Sequence, residues 1–205
     1  MLLEHKGMRP HIHETAYIAP TATICGDVSI GAESCVLFGA VLVAEGGPVA
    51  IGEHCVVMEQ AVLRGTARHP VRVGNHVLVG PHAHLSGCTV ADSVFVATGA
   101  SVFNGARLGA RSEVRINGVV HVNTALPVGA TVPIGWVAVG DPAQILPSSE
   151  HARIWAVQET LEFSRTVFGI AGAPEGETIM PEMTRRYTRA LGAHRHDHIL
   201  GHHYL

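Results

Sequence analysis

The sequence predicts an all-β solenoid, a parallel β-helix of hexapeptide repeats followed by a C-terminal α-helix. Three observations carry this. Aliphatic side chains recur every sixth position at Ile18, Ile24, Ile30, Val36 and Leu42, at Ile51, Val57 and Leu63, at Val73, Val79 and Leu85, and at Val90, Val96, Val102, Leu108, Val114, Val120, Leu126 and Val132. Four places after such a residue the side chain is small or β-branched, as at Ala22, Val28, Ser34, Ala40, Cys55, Ala61, Val77, Ala83, Val94, Ala100, Ala106 and Ser112. Glycine often follows the aliphatic residue directly, as in Ile30-Gly31, Val73-Gly74 and Leu108-Gly109, where a tight turn tolerates no bulk. A helix needs apolar positions at 3.6 spacing and a hairpin alternates over longer runs, so neither fits a strict six. Short strands with tight corners do fit, three hexads making a coil and stacked coils burying continuous aliphatic columns. An aromatic content of 5% suits so narrow an interior.

Taken in order, the hexads run with three irregular steps: nine residues from Leu42 to Ile51, ten from Leu63 to Val73 and five from Leu85 to Val90. The β-helix domain is expected over residues 12–147, its regular part ending near Pro142, and a C-terminal helical segment with a His-rich tail over 148–205. Ser148 and Ser149 are candidate caps for a helix through about Phe163, with Ile154, Val157, Leu161 and Phe168 on one stripe. Gly169 to Gly176 reads as a linker. A second helix is expected from Pro181, with Met183, Tyr187 and Leu191 on one face and Arg185, Arg186 and Arg189 toward water.

Composition bounds the function classes. The 205 residues are 47% apolar and 15% charged, enough for a sizeable core and too apolar for chain-wide disorder. The longest apolar run, Val36 to Ala44, falls far short of the ~20 residues of a membrane-spanning helix, and Met1 to Lys6 lacks a secretory pattern. No membrane partner and a cytoplasmic location are therefore expected. A net charge of −3 gives no basic excess for nucleic acid. Cys25, Cys35, Cys55 and Cys88 form no CxxC pair and read as free thiols.

The stretch from about Ala19 to Pro147 resembles the γ-class carbonic anhydrase-like family of hexapeptide-repeat proteins. The matching pieces are Ala50-Ile51-Gly52, Val77-Leu78-Val79-Gly80, Leu85-Ser86-Gly87-Cys88-Thr89-Val90 and Val139-Gly140-Asp141-Pro142-Ala143, together with the irregular steps. The resemblance implies a left-handed β-helix, a homotrimer, and interface sites that each hold zinc or a similar ion on three histidines. Carried over residue by residue, those ligands fall at Arg64, Pro81 and Ser86. The family's Arg-Gly-Asp triplet falls at Val43-Ala44-Glu45, and its pocket Asn, Gln and Asp fall at Val56, Met58 and Glu59. Zinc that activates water needs three protein donors, and arginine, proline and serine do not supply them. No cofactor is expected at the family position. A zinc or other divalent ion is expected only if a relocated site exists, for which His69, His82 and His84 are the candidates.

Stacking the coils puts Cys25, Val43, Arg64, Ser86, Phe103 and His121 in one outward column. By the resemblance this column meets Glu59 and Pro81 of a neighbouring subunit. Arg64 then reads either as a member of an interface ion pair with Glu59 or Glu45, or as a fixed guanidinium that binds a small anion. The candidate catalytic set is Arg64, Glu59, Ser86 and His84, and the candidate substrate-binding set is Arg64, Glu45, Met58 and Phe103. Apolar Val43, Phe103 and Met58 would be exposed on a lone prism, which favours the trimer. The tail, His194-Arg195-His196-Asp197-His198 with His202 and His203, has the composition of a metal binder but reads as a solvated tail. Three functions compete: an enzyme or binder of small anions lacking the zinc triad, a catalytically silent scaffold, and a hexapeptide acyltransferase with His69 as the loop histidine.

Overall fold

The computed structural model describes residues 1–161, 163–173 and 176–201. It is a left-handed parallel β-helix whose three faces are sheets of ten, seven and seven strands. The first face stacks Thr23–Cys25, Val41–Ala44, Val62–Gly65, His84–Ser86, Ser101–Val102 and Val119–Val120 in parallel. The second runs from His11–Ile12 to Ala125–Leu126 and the third from Tyr17–Ile18 to Thr131–Val132. Register follows the hexads: Leu42, Leu63 and Leu85 are successive Cα partners, as are Ile51, Val73 and Val90. Every aliphatic position of the repeat is buried, and so are the small or β-branched positions named above that follow four places later. Each fully buried Leu, Ile or Val contributes about 1.5–3 kcal/mol, so the columns are the core.

The corners account for several histidines. His54, His76 and His82 each stand three places after an aliphatic pillar with φ of 52°, 55° and 57°, in the left-handed region shared by Asn117 and Asn123 at equivalent corners. The small αL basin tolerates His and Asn better than most residues. His54 and His76 stack ring on ring at 5.1 Å.

The structure departs from the sequence expectations at both ends. The first sheet begins ahead of residue 12, because Leu2–Glu4 pairs in parallel with Thr23–Cys25 and Leu2 packs on the core. The helix after the prism is α1 (His151–Gln158), with Glu150 rather than Ser148 or Ser149 at its N-cap and no side-chain cap bond. A 3-10 turn at Glu159–Leu161 separates it from α2 (Phe163–Phe168). The predicted stripe holds in part: Ile154 is buried against Val139 and Leu146 with Val157 and Leu161 beside it, whereas Phe168 lies instead against Tyr187. The second predicted helix is α3 (Met180–Leu191), with Pro181 in its first turn.

The tail is not a solvated end. After a 3-10 turn at Gly192–His196, His198–Gly201 pairs antiparallel with Leu2–Glu4 and covers the first edge of the ten-stranded sheet. Gln144–Pro147 folds back antiparallel on Trp136–Val139 and covers the other edge. An uncovered edge would offer unpaired N–H and C=O groups to other chains. His202 and His203 lie outside the described residues.

Candidate functional site

Two of the irregular steps in the repeat build one wall of a cavity on the first face. The nine-residue step bulges at Glu45 to Pro48 and the ten-residue step at Thr66 to Pro70, directly above it. Thr66 and His69 exchange backbone hydrogen bonds that close the second bulge. A Cβ on Gly47 would collide with the Thr66 carbonyl and one on Gly65 with the Gly47 carbonyl, so both positions need glycine for the bulges to stack. The floor comes from the outward column, in which Cys25, Val43, Arg64 and Ser86 are successive Cα partners. The roof comes from the C-terminal segment, with Phe168, Ile170, Met183 and Tyr187 facing Arg64, His84, Ser86 and Phe103 across about 510 Å³.

Arg64 is the centre of this cavity. Its Nη1 donates to the Tyr187 hydroxyl at 2.7 Å, and its Nε is buried without a partner. The Tyr187 ring is held edge-on by Phe168 at 6.1 Å. Among the described residues, Arg64, Arg68 and Lys6 line the cavity and none forms an ion pair, while Arg186 is held by Glu182 at 2.6 Å. Among the described residues the one lining carboxylate, Glu45, is engaged by His194 Nε2 at 2.6 Å. The cavity is thus electropositive. Burial, and then the Arg64 charge, lower the His84 pKa below the usual imidazole value.

The structure gathers Arg64, Ser86, His84, Phe103 and Glu45 of the sequence-derived candidates around one cavity. Met58 and Glu59 follow the third-face strand Val56–Val57, and within one chain neither lines this cavity. Val43 is already buried in the single chain and Phe103 lies in the cavity, so neither is the bare apolar surface expected of a lone prism. Arg186, expected to face water, is exposed yet borders the cavity. Lys6, Arg68, Asn104 and Tyr187 were not legible as site residues. The only signal for Tyr187 was its place on the Met183, Tyr187, Leu191 stripe.

His69, His82 and His84 do not converge. Among the described residues, the metal-ligating side chains that do are His5, Cys25, His194 and Asp197, whose ligand atoms all lie within 4.8 Å of one another.

No family model matches the chain. It is 27% identical over 204 residues to the mitochondrial gamma carbonic anhydrase 1 of Arabidopsis thaliana, an alignment covering 94% of this chain and 71% of the relative. It is 28% identical over 143 residues to gamma carbonic anhydrase 2 of the same plant, covering 67% of this chain and 49% of that one. The chain is a hexapeptide-repeat protein similar to gamma carbonic anhydrases along most of its length. Among solved structures, a hexapeptide transferase family protein from Anaplasma phagocytophilum matches this γ-carbonic anhydrase-like chain with a TM-score of 0.50 and 26% identity, covering 80% of this chain and 93% of the other. No helix among the described residues is long and apolar enough to cross a membrane.

The metal of the γ-class does not fit the residues at its position here. Arg64 presents a guanidinium donor to Tyr187 rather than a lone pair, Ser86 is its buried neighbour one strand away, and Pro81 has no side-chain donor.

Proposed function

We propose that this γ-carbonic anhydrase-like protein binds, and acts on, a small anion of the carboxylate class in the cavity over Arg64, without zinc at the family position. The observation that supports it is that Arg64 has a buried, unpartnered Nε and no carboxylate partner among the described residues. A guanidinium presents a planar fork of donors that matches a carboxylate, and charge-assisted bonds of this kind are about twice as strong as neutral ones. Arg68 and Lys6 add positive field, and bulges from adjacent coils keep the wall rigid. His84, with its lowered pKa, is available as a neutral imidazole for proton transfer beside the anion.

The functional unit in this reading is a homotrimer. Tyr17 and Phe38, exposed on the third face near Met58 and Glu59, supply the apolar surface for it. Light scattering at micromolar concentration is expected to give three chains; a monomer would remove the trimer and any role for Glu59 opposite Arg64.

A thermal-shift screen of formate, acetate, bicarbonate, oxalate and an acyl thioester tests the anion reading. Ligand at one hundred times its dissociation constant is expected to stabilise the wild type by about 2.7 kcal/mol, and Arg64→Met to abolish the shift. No shift in the wild type would overturn this reading in favour of a silent scaffold. A shift produced only by the acyl thioester would overturn it in favour of the acyltransferase reading.

A further inference from the structure

We propose that His5, Cys25, His194 and Asp197 form a second, previously unassigned site, a zinc-class divalent metal centre that fastens the C-terminal segment to the first coils of the β-helix. The four side chains come from separate places in the chain. His5 follows the first strand, Cys25 ends the second strand of the same face, and His194 and Asp197 flank the end of the 3-10 turn before the antiparallel edge strand. Folding nevertheless brings them together: Asp197 Oδ1 lies 2.6 Å from His5 Nδ1, and Asp197 Oδ2 lies 2.7 Å from His194 Nδ1 and 3.6 Å from Cys25 Sγ. The two imidazole rings stack at 4.3 Å.

The donor set selects the ion. Two imidazole nitrogens, one sulfur and one carboxylate oxygen suit a borderline-soft divalent metal, and four protein donors make a closed, structural site. Binding displaces the Cys25 thiol proton and takes the imidazoles neutral. Closure is already present, since His5 and Cys25 are each 2% exposed. A supporting contact of the kind metal-bound histidines use is also in place. His194 Nε2 meets Glu45 Oε1 at 2.6 Å, which turns Nδ1 toward Asp197 and leaves it as the ligand atom. Asp197 and the stacked His194 ring hold His5 in place, so that its Nδ1, like that of His194, faces the Asp197 carboxylate.

The site is distinct from the family's position. Cys25 and Arg64 share the outward column but stand two strands apart, about 10 Å. The proposal does not rest on anion binding at Arg64, and neither result decides the other.

The test uses the full chain, stripped with a chelator and titrated with zinc. Elemental analysis is expected to give one metal per chain, with a rise in melting temperature and protection of Cys25 from alkylation in urea just below the unfolding midpoint, where the otherwise buried thiol becomes accessible, read by peptide mass mapping. Cobalt(II) in place of zinc is expected to give a thiolate-to-metal charge-transfer band that Cys25→Ser removes. Glu45→Gln should weaken zinc about 10- to 100-fold through the loss of its bond to His194. Arg64→Met, and replacement of His196, His198, His202 and His203 by alanine, should leave uptake unchanged. Failure of the wild type to take up zinc at micromolar concentration would overturn the proposal. So would metal that survives Cys25→Ser with His194→Ala, or uptake lost with the alanine replacements at His196, His198, His202 and His203. Should Cys25→Ser fail to fold, the wild-type cobalt spectrum and alkylation map decide alone, and absence of both the band and the protection would equally overturn it.

Discussion

The Tyr187 hydroxyl sits 2.7 Å from Arg64 Nη1, joining α3 to the middle of the first face across 123 positions of sequence. Among the described residues Arg64 has no carboxylate partner, and the bond is a neutral hydroxyl accepting from its guanidinium. Removing it should cost about 0.5–1.5 kcal/mol of stability. Tyr187→Phe is therefore expected to lower the melting temperature slightly while a bound carboxylate, freed of a competitor for the same N–H, binds at least as tightly. Isothermal titration checks this, and weaker binding in the variant would place Tyr187 on the ligand instead.

Arg64→Met combined with Glu59→Gln separates anion binding from structural pairing. If the two residues pair between subunits, replacing both members is close to neutral for the trimer, since removing both charges also removes their desolvation cost. The expected outcome is an intact trimer by light scattering with no protection by small carboxylates.

Acid should weaken the fold through His84. Burial, then Arg64, lower its pKa below the usual 6.5, so the unfolded chain takes up the proton first. Stability from this group is present above 6.5 and is lost as the pH falls through the window below it. His121, lowered by burial, acts in the same sense. Melting temperatures measured from pH 7.5 to 5.5 should fall less steeply in His84→Gln than in the wild type; parallel curves would refute the assignment.

Thiol chemistry should report the packing of the columns. Burial pushes the Cys88 thiol up to about 12 and raises Cys55, whose Sγ donates to the Gly74 carbonyl at 3.0 Å. The thiolate is the reactive species, so both should be inert in the native state. Cys35 is partly exposed on the third face and should label first with an alkylating agent at pH 8, with Cys55 and Cys88 following only on unfolding. Peptide mass mapping over time distinguishes the rates.

The prism was legible because its information is local. A pillar at Leu63 and a small residue at Ala83 report their own burial through spacing, and the steps after Leu42 and Leu63 stood out as breaks in the repeat, though not as the wall of a cavity. The floor followed from the same counting, which put Arg64 beside Ser86. The roof and the tail were not legible, because they depend on contacts between residues far apart in the chain. Nothing local to His5 says that Asp197, 192 positions away, will meet it, and composition alone made the His194 to His198 run look solvated. Leu2 was missed for a related reason: Lys6 to Pro10 interrupts the six-residue spacing before it is established.

The pairing of Leu3 with Ile199 has a kinetic consequence. Each coil of a solenoid touches only its neighbours, so assembly can propagate by short steps. The edge strand at His198–Gly201 instead closes a loop of almost the whole chain, and contacts of that range form slowly. It can dock only on a first coil that already exists. Formation of the chamber over Arg64 is then expected late in folding, and its opening early in unfolding. Hydrogen exchange should accordingly find the amides of α3 and of residues 198–201 released well before those of the aliphatic columns.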